Sequence, residues 1–405
     1  MKDKLVLIGN GMAGMRTVDE LLKLAPDKYD ITVFGTEPHG NYNRIMLSPV
    51  LAGDKTIEEI IIHDLQWYQD KGITLHTGKT ITEIDRVNQT VTTEDGTKAE
   101  YNKLILATGS KPVILPIDGK HLAGVISFRD ISDVNIMIEA TKTHKKAIVI
   151  GGGLLGLEAA NGLMIQGMDV SVVHRSNTLM NQQLDQAASD LMLDQLQAKG
   201  MHFLMNHDTA ELIGKDRVEK VRFKDGSEVA ADLVVMAIGV QPNIELAKKA
   251  GIMCDRGVLV DDTLKTYSKN TYAVGECVQY RNETFGLVAP LYEQARVCAA
   301  QLANLGGEKY KSSVTATKLK VTGINLFSAG DFIGDELSET LVYQDPSRHI
   351  YKKLVLNDNK IIGSLLYGDT TDGNWYFALL SGQKDISGFR DDILFGQHQV
   401  DEDRL

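Results

Sequence analysis

The chain of 405 residues has few cysteines, and they are far apart. Cys254, Cys277 and Cys298 form no C-x-x-C pair. Three thiols are too few for a four-thiolate iron–sulfur cluster, and their separation gives no local redox dithiol within this chain. We therefore predict small buried side chains in a reducing compartment, and no metal site.

Long apolar runs and basic blocks are absent as well. No run of about 18 residues is free of charge, which argues against a membrane-spanning helix. The net charge is −11 without clustered Lys and Arg, so we do not expect binding to nucleic acid. A strand pattern begins almost at the first residue and leaves no room for a signal peptide, so we expect a cytoplasmic protein.

Glycine is abundant, with 37 residues, and two groups of glycines share one spacing. Each G-x-G-x-x-G group follows a short apolar run and opens a helix-like pattern, which is the context of a dinucleotide-binding turn. The first glycine allows the tight turn, the second lets a pyrophosphate approach, and the third lets helix and strand pack closely. Amides at the start of the helix then face the phosphates. The predicted contacts are Gly9, Gly11, Met12, Ala13 and Gly14 in the first group, and Gly151, Gly153, Leu155 and Gly156 in the second.

The ends of the second strands differ between the two units. Glu37 in the first unit is placed to bind a pair of ribose hydroxyls, and the alternative is an ordinary loop glutamate. The second unit has His174 and Arg175 there and no carboxylate. Arg175 would suit a 2′-phosphate and hints at NADPH, but it is equally compatible with a surface arginine. The choice between NADH and NADPH stays open.

Further along, the two units repeat a hairpin with an Asp-Gly turn and an apolar strand that ends in small residues. Small residues allow the backbone to approach a ligand closely. A third such strand leads to Gly275 and Glu276, and we expect a helix to begin at Pro290. Arg44, in a polar segment, is a candidate for contact with a phosphate or a cofactor ring, or a surface residue. The small residues at the ends of the repeated strands are Ala107, Thr108 and Gly109, and Gly239.

The order of these elements predicts an α/β protein with two Rossmann-like nucleotide-binding domains and a C-terminal α+β domain. We expect the first domain to be discontinuous, with residues 1–112 and 240–311. The second should contain residues 113–239, and the third residues 312–405.

These motifs, in this order, resemble the two-dinucleotide-binding flavoprotein reductases that are built like glutathione reductase. Several longer strings are more specific and resemble the reductase part of assimilatory NAD(P)H nitrite reductase large subunits. They are Tyr42-Asn43-Arg44, residues 47–53 with Ser48, residues 272–277, residues 287–291 and residues 363–369.

The resemblance implies that the first domain binds FAD and the second binds NAD(P)H. Glu37, the segment 107–109, Gly275 and Glu276 would contact FAD, and hydride would pass from the nicotinamide to the flavin. The helix at Pro290 and Leu291 would direct amides at the flavin. Glu158 would face the nicotinamide, or else be an ordinary exposed helix glutamate.

The resembling enzymes continue into iron–sulfur and sirohaem regions that this sequence lacks. We therefore expect an external electron acceptor, which would be an iron–sulfur, rubredoxin-like or sirohaem protein. The alternatives are a ferredoxin or rubredoxin reductase, and a flavin-holding redox sensor with little turnover. Formation of a homodimer is left open.

Overall fold

The computed structural model describes residues 2–312 and 315–400. Internal contacts divide them into two compact units. The first contains the chain up to Val113, Arg129–Ile131 and Gly239–Ser312. The second contains Ile114–Phe128, Ser132–Ile238 and the described residues from 315 onward. The three domain boundaries expected from the sequence stay a prediction.

The first unit is built around a parallel sheet whose strands are apolar on both faces, as expected for a sheet covered on both sides. Its second-longest helix, Met12–Leu24, follows the first strand directly and buries Met15, Val18 and Leu21. The five strands, in spatial order, are Thr271–Ala273, Lys103–Leu106, Asp3–Ile8, Tyr29–Phe34 and Thr74–His76.

Smaller elements surround this sheet. An antiparallel sheet of three strands contains the Asp95-Gly96 turn predicted from the sequence. The helix Val288–Leu302 packs against Met12–Leu24. The strands of the antiparallel sheet are Ile81–Asp85, Thr90–Thr93 and Lys98–Glu100. The other short strands are Asn41–Tyr42, Ile61–His63, Ser110–Pro112, Val240–Pro242, Val258–Val260, Val278–Tyr280 and Glu283–Thr284. The short helices are Arg44–Met46, Leu47–Ala52, Ile57–Ile60, Leu65–Asp70 and Glu245–Lys249.

The second unit repeats the arrangement. Its parallel sheet is again five-stranded, the helix Leu154–Ile165 follows the central strand, and an antiparallel sheet of three strands accompanies it. The internal repeat is thus confirmed at the level of strand order. The parallel strands are Val125–Ser127, Leu233–Met236, Lys146–Ile150, Asp169–His174 and His202–Met205. The antiparallel strands are Thr209–Gly214, Val218–Phe223 and Glu228–Ala230. The other helices are Gln186–Ala198 and Ile131–Thr143, whose first residue is assigned to the first unit.

The C-terminal part of the second unit is a five-stranded antiparallel sheet with the helix Gly373–Ser381. One face packs on that helix around the buried Tyr376. The other face contacts the region of Gln186–Ala198, where the Tyr367 hydroxyl donates to Gln195 Oε1 at 2.5 Å. Its strands, in spatial order, are Ala316–Val321, Ile324–Gly330, Lys360–Tyr367, Ile350–Asn357 and Glu339–Asp345; short 3₁₀ helices are Pro346–Arg348, Arg390–Phe395 and Gln397–Gln399.

The three cysteines differ in burial. Cys277 and Cys298 are fully buried, whereas Cys254 is half-buried. Among residues 2–312 and 315–400, no helix combines the length and apolar character that crossing a membrane requires.

Two candidate nucleotide sites

The first glycine loop connects the strand Asp3–Ile8 to the helix Met12–Leu24. Gly9 has φ +112°, and its amide donates to Phe34 O at 2.8 Å. A Cβ on Gly9 would clash with the carbonyl oxygen of Ala107, and one on Gly14 would lie 2.9 Å from both Gly9 O and Ala107 Cβ. The chain itself therefore requires these two glycines.

Gly11 differs from its neighbours in the loop. Its backbone is extended at φ −84°, which any residue adopts, and no atom of residues 2–312 and 315–400 lies within 4 Å of an added Cβ. Nothing in the first unit thus explains why this position is glycine. It lies at the start of the helix whose first residues are Met12 and Ala13, where amides without helical partners attract anions. The open space fits a diphosphate that approaches the backbone.

The second glycine loop has the same geometry in the second unit. Gly151 has φ +124° and donates to Val173 O at 2.9 Å. A Cβ on Gly151 would meet the carbonyl of Ala237, and one on Gly156 would meet the carbonyl of Gly151. Gly153 repeats the exception: its backbone is extended at φ −86°, and an added Cβ meets no atom of the described residues within 4 Å. The loop ends in the helix that contains Leu155, which is 38% exposed.

Glu37 lies at the centre of a charged network in the first unit. Its Oε2 accepts from the Tyr42 hydroxyl at 2.7 Å, and its Oε1 accepts from Arg44 Nη2 at 2.6 Å. The Arg44 guanidinium also lies 5.0 Å from the centre of the Tyr42 ring. Burial raises the pKa of Tyr42, so this residue is a neutral donor to the carboxylate. Glu37 and Arg44 are thus brought together, and neither is an isolated surface residue.

Glu276 anchors a second network in the same unit. Its carboxylate accepts from Ser110 Oγ at 2.8 Å and forms an ion pair with Arg129. The carbonyl of Arg129 accepts from Arg44 Nη1 at 2.5 Å, which joins this network to that of Glu37. The structure therefore places both predicted carboxylates and Arg44 in one hydrogen-bonded array.

The small residues that were predicted to close over a ligand lie next to this array. Gly109 and Gly275 have φ of +66° and +93°, which favours glycine. Thr108 Oγ1 donates to Asn243 O at 2.7 Å and joins two segments of the first unit. Gly239, which also belongs to the first unit, has φ +115°, and no described atom lies within 4 Å of a Cβ added there.

The expected start of the helix at Pro290 is wrong. The helix begins at Val288 with Leu287 as its N-cap, so Pro290 occupies the third position of the first turn. Proline is compatible with that position because the amides of the first turn have no helical acceptor. The free amides belong to Leu287, Val288 and Ala289, not to Leu291 and the residues after it.

His174 connects the end of the strand Asp169–His174 to the second glycine loop. Its Nδ1 accepts from the Gly152 amide at 3.1 Å, so Nε2 carries the proton, which faces Thr178 O at 2.9 Å. Burial lowers the pKa of His174, and the charge of Arg175 lowers it further. His174 is therefore a neutral side chain that holds the loop. Arg175 is exposed.

Two predicted residues are located, but their roles stay predictions. Glu158 is half-buried on the helix Leu154–Ile165, one turn after the second loop. Ser48 is half-buried in the short helix Leu47–Ala52.

The sequence analysis missed two residues of the first unit. Gln294 is fully buried, and its Oε1 accepts from the Gly275 amide at 2.8 Å. A glutamine within the apolar face of an alanine-rich helix was the available signal. Arg129 gave no local signal, because its partners are distant in sequence.

Comparison with known proteins identifies the family of this chain. A model of the pyridine nucleotide-disulphide oxidoreductase family matches residues 3–301. The chain belongs to this family. A model of the rubredoxin NAD+ reductase C-terminal domain matches residues 316–384. The membership confirms the predicted α/β two-dinucleotide fold, the oxidoreductase class, and FAD and NAD(P)H as cofactors.

Two relatives from Bacillus subtilis are similar over 95% of this chain. One, named nitrite reductase [NAD(P)H], is 49% identical, and the chain covers 48% of it. The other, named assimilatory nitrate reductase electron transfer subunit, is 46% identical, and the chain covers 50% of it. The chain thus spans about half the length of these relatives. The resemblance stated from the sequence strings is confirmed.

A solved structure shows the same fold over nearly all of the chain. NADH:rubredoxin oxidoreductase from Clostridium acetobutylicum is 27% identical with a TM-score of 0.81, and the match covers 98% of this chain and 100% of that one.

Proposed function

We propose that this chain is the NAD(P)H-dependent flavin reductase component of a nitrite-reductase-type system and passes electrons to an external one-electron acceptor. The observation that carries the proposal is the pair of open positions at Gly11 and Gly153. Each is a glycine that its own unit does not require, at the start of a helix in a G-x-G-x-x-G loop. Two nucleotide sites in one chain suit a hydride donor and a flavin.

The residues of the first unit would hold FAD. The open position at Gly11 would receive the diphosphate, and Glu37 would accept hydrogen bonds from a ribose. Glu276 and Arg129 would orient the part of the cofactor near Gly275. When bound, FAD can accept two electrons from the coenzyme and release them one at a time to an acceptor. The chain supplies alignment and a fixed array of charges around it.

The second unit would hold the nicotinamide coenzyme. Gly153 would receive its diphosphate, and His174 would keep the loop in position as a neutral side chain. Glu158 would lie on the nicotinamide side. These assignments rest on the geometry of the loop and on the repeat that relates it to the first unit.

The three cysteines support an external acceptor. Cys277 and Cys298 are buried and Cys254 is half-buried, and none forms a disulfide. Burial raises the pKa of all three thiols, which keeps them as unreactive thiols. The relatives that share the strings are about twice as long. The acceptor would therefore be an iron–sulfur or sirohaem protein, or the remaining part of a longer chain.

One alternative has a specific observation in its favour. The C-terminal sheet matches the rubredoxin NAD+ reductase C-terminal domain, which suits a rubredoxin or ferredoxin reductase. A cytoplasmic location, a homodimer and a flavin-holding sensor with little turnover stay predictions of the sequence.

The test is an anaerobic titration of the purified yellow protein with each nicotinamide coenzyme. Bleaching of the flavin within seconds is expected, followed by reoxidation when the acceptor is added. Faster reoxidation by a sirohaem nitrite reductase fragment than by rubredoxin or ferredoxin would support the nitrite-type assignment. The reverse order would favour the alternative, and a flavin that neither coenzyme bleaches would exclude a reductase.

A further inference from the structure

The two glycine loops allow the ends of the second strands to be aligned residue by residue. Gly9 donates to Phe34 O at 2.8 Å, and Gly151 donates to Val173 O at 2.9 Å. Phe34 and Val173 are therefore equivalent. Glu37 is the third residue after Phe34, and the third residue after Val173 is Ser176.

Ser176 thus replaces the carboxylate that the first unit presents to a ribose. No aspartate or glutamate occurs in residues 174–184. A carboxylate at this place binds the ribose 2′-hydroxyl and repels a 2′-phosphate, whereas a nearby arginine accommodates that phosphate. A serine avoids this repulsion and leaves space beside the ribose.

Arg175 lies directly before Ser176 and is available for binding. It is exposed, and no ion pair with a carboxylate is found for it among residues 2–312 and 315–400. The corresponding residue of the first unit is Thr36. A guanidinium binds phosphate through two parallel hydrogen bonds, which makes arginine the most suitable side chain for a phosphomonoester.

The backbone next to Arg175 is fixed to the loop that would receive the diphosphate. His174 accepts from the Gly152 amide at 3.1 Å and faces Thr178 O at 2.9 Å. Ser176 Oγ lies 2.9 Å from His174 Nε2. The strand end is thereby held beside the glycine loop, so only the Arg175 side chain has to be ordered when a ligand binds.

We propose that the second unit selects NADPH over NADH, with Arg175 as the specificity-determining residue that binds the 2′-phosphate of the adenosine and Ser176 in place of the discriminating acid. This proposal rests on the proposed function, because it requires the second unit to hold the nicotinamide coenzyme.

The test is calorimetric titration of the purified holoenzyme with adenosine 2′,5′-bisphosphate and with 5′-AMP, which differ only in the 2′-phosphate. We expect the bisphosphate to bind at least about tenfold more tightly, as one bidentate charged contact provides. Arg175→Leu should remove this difference and leave 5′-AMP binding unchanged, and Arg175→Lys should retain part of it. Arg348→Leu, which removes an exposed arginine elsewhere in the second unit, should bind like the wild type.

Three outcomes would overturn the proposal. Equal binding of the two nucleotides by the wild type would show that no 2′-phosphate site exists. Equal weakening of both by Arg175→Leu would assign the arginine to the diphosphate or to the fold. A bisphosphate preference that Arg348→Leu also removes would mean a general charge effect. If NADH bleaches the flavin although the bisphosphate has no advantage, the reductase function stands and only the selectivity fails. If neither adenosine nucleotide binds and neither NADH nor NADPH bleaches the flavin, both proposals fail.

Discussion

Arg129 forms an ion pair with Glu276, although the two residues are 147 positions apart in the chain. Both side chains are largely buried, at 17% and 16% exposure. The segment Arg129–Ile131 is assigned to the first unit, whereas the chain on either side of this segment belongs to the second. A three-residue segment therefore completes the charge array that would surround FAD.

We predict that Glu276→Ala loses FAD. Removing the carboxylate takes a charged partner from the largely buried Arg129 and disrupts the array that would hold FAD, and a lost hydrogen bond between charged groups costs about 1.5–3 kcal/mol. The ratio of flavin to protein after gel filtration should fall, and the dissociation constant of FAD should rise at least about tenfold.

The matched control is Glu245→Ala in the same unit. Glu245 also pairs with a cation, since its Oε1 lies 2.5 Å from Lys111 Nζ, but both side chains are about half exposed. An exposed pair contributes little, so this variant should keep its flavin. A normal flavin content in Glu276→Ala would remove Glu276 from the FAD site.

The open glycines give a second prediction. Gly11→Ala should lose FAD, and Gly153→Ala should keep FAD but show a raised KM for the coenzyme. In both variants the added methyl group enters open space among the described residues, where the diphosphate would lie. The free energy of unfolding of the apoprotein should change by no more than about 1 kcal/mol, the scale of an altered N-cap. Flavin content, steady-state kinetics and urea unfolding measure the three quantities.

Gly388→Ala serves as the control, because it too has open space and no left-handed backbone but lies outside both loops. Gly14→Ala shows the opposite behaviour: its Cβ would lie 2.9 Å from two protein atoms, so the fold itself should lose about 1–3 kcal/mol. If Gly153→Ala lost FAD instead, the two sites would have been assigned in reverse.

These examples also show what the sequence can and cannot predict. The glycine loops and the parallel strands were predictable because their signals are local: apolar runs followed by glycines at fixed spacing. The pair of Arg129 and Glu276 was not, because it depends on how distant segments meet. The start of the helix near Pro290 was misplaced because proline suits several positions of a first turn, not only the first.

A third prediction concerns the stability of the second unit. Asp185 is the N-cap of the helix Gln186–Ala198, where it accepts from the Ala188 amide at 3.1 Å. It also accepts from the Tyr351 hydroxyl at 2.8 Å and lies 3.3 Å from Lys353 Nζ, with only 13% of its side chain exposed. Asp185→Ala should therefore lower the free energy of unfolding by about 2–4 kcal/mol, from the lost cap and the partners left unsatisfied.

Urea unfolding of the apoprotein measures this loss. Asp190→Ala is the control on the same helix, because Asp190 is exposed and accepts from the exposed Gln186 side chain at 2.7 Å. It should change the stability by less than about 0.5 kcal/mol. Equal effects of the two substitutions would show that Asp185 does not connect this helix to the C-terminal sheet.

The last prediction follows from the protonation state of His174. Because burial lowers its pKa, folded His174 stays neutral at a pH where the unfolded chain, with a pKa near 6.5, already binds a proton. The unfolded state then binds more protons than the folded state, so stability rises with pH in this range. The contribution of His174 is present above about pH 6.5 and is lost as the pH falls through the lowered pKa of the folded state. Protonated Nδ1 would also no longer accept from the Gly152 amide, so coenzyme binding should weaken together with stability.

His174→Asn tests this, because its Oδ1 can accept from Gly152 but does not titrate. The variant should lose less stability and less coenzyme affinity than the wild type between about pH 7.5 and 5.5. His202→Asn, in a neighbouring strand of the same sheet, removes an exposed histidine and should keep the wild-type loss at low pH. Unfolding free energies and coenzyme dissociation constants at each pH provide the comparison. The same acid-induced loss in His174→Asn as in the wild type would mean that the proton binds elsewhere and that His174 does not control the loop.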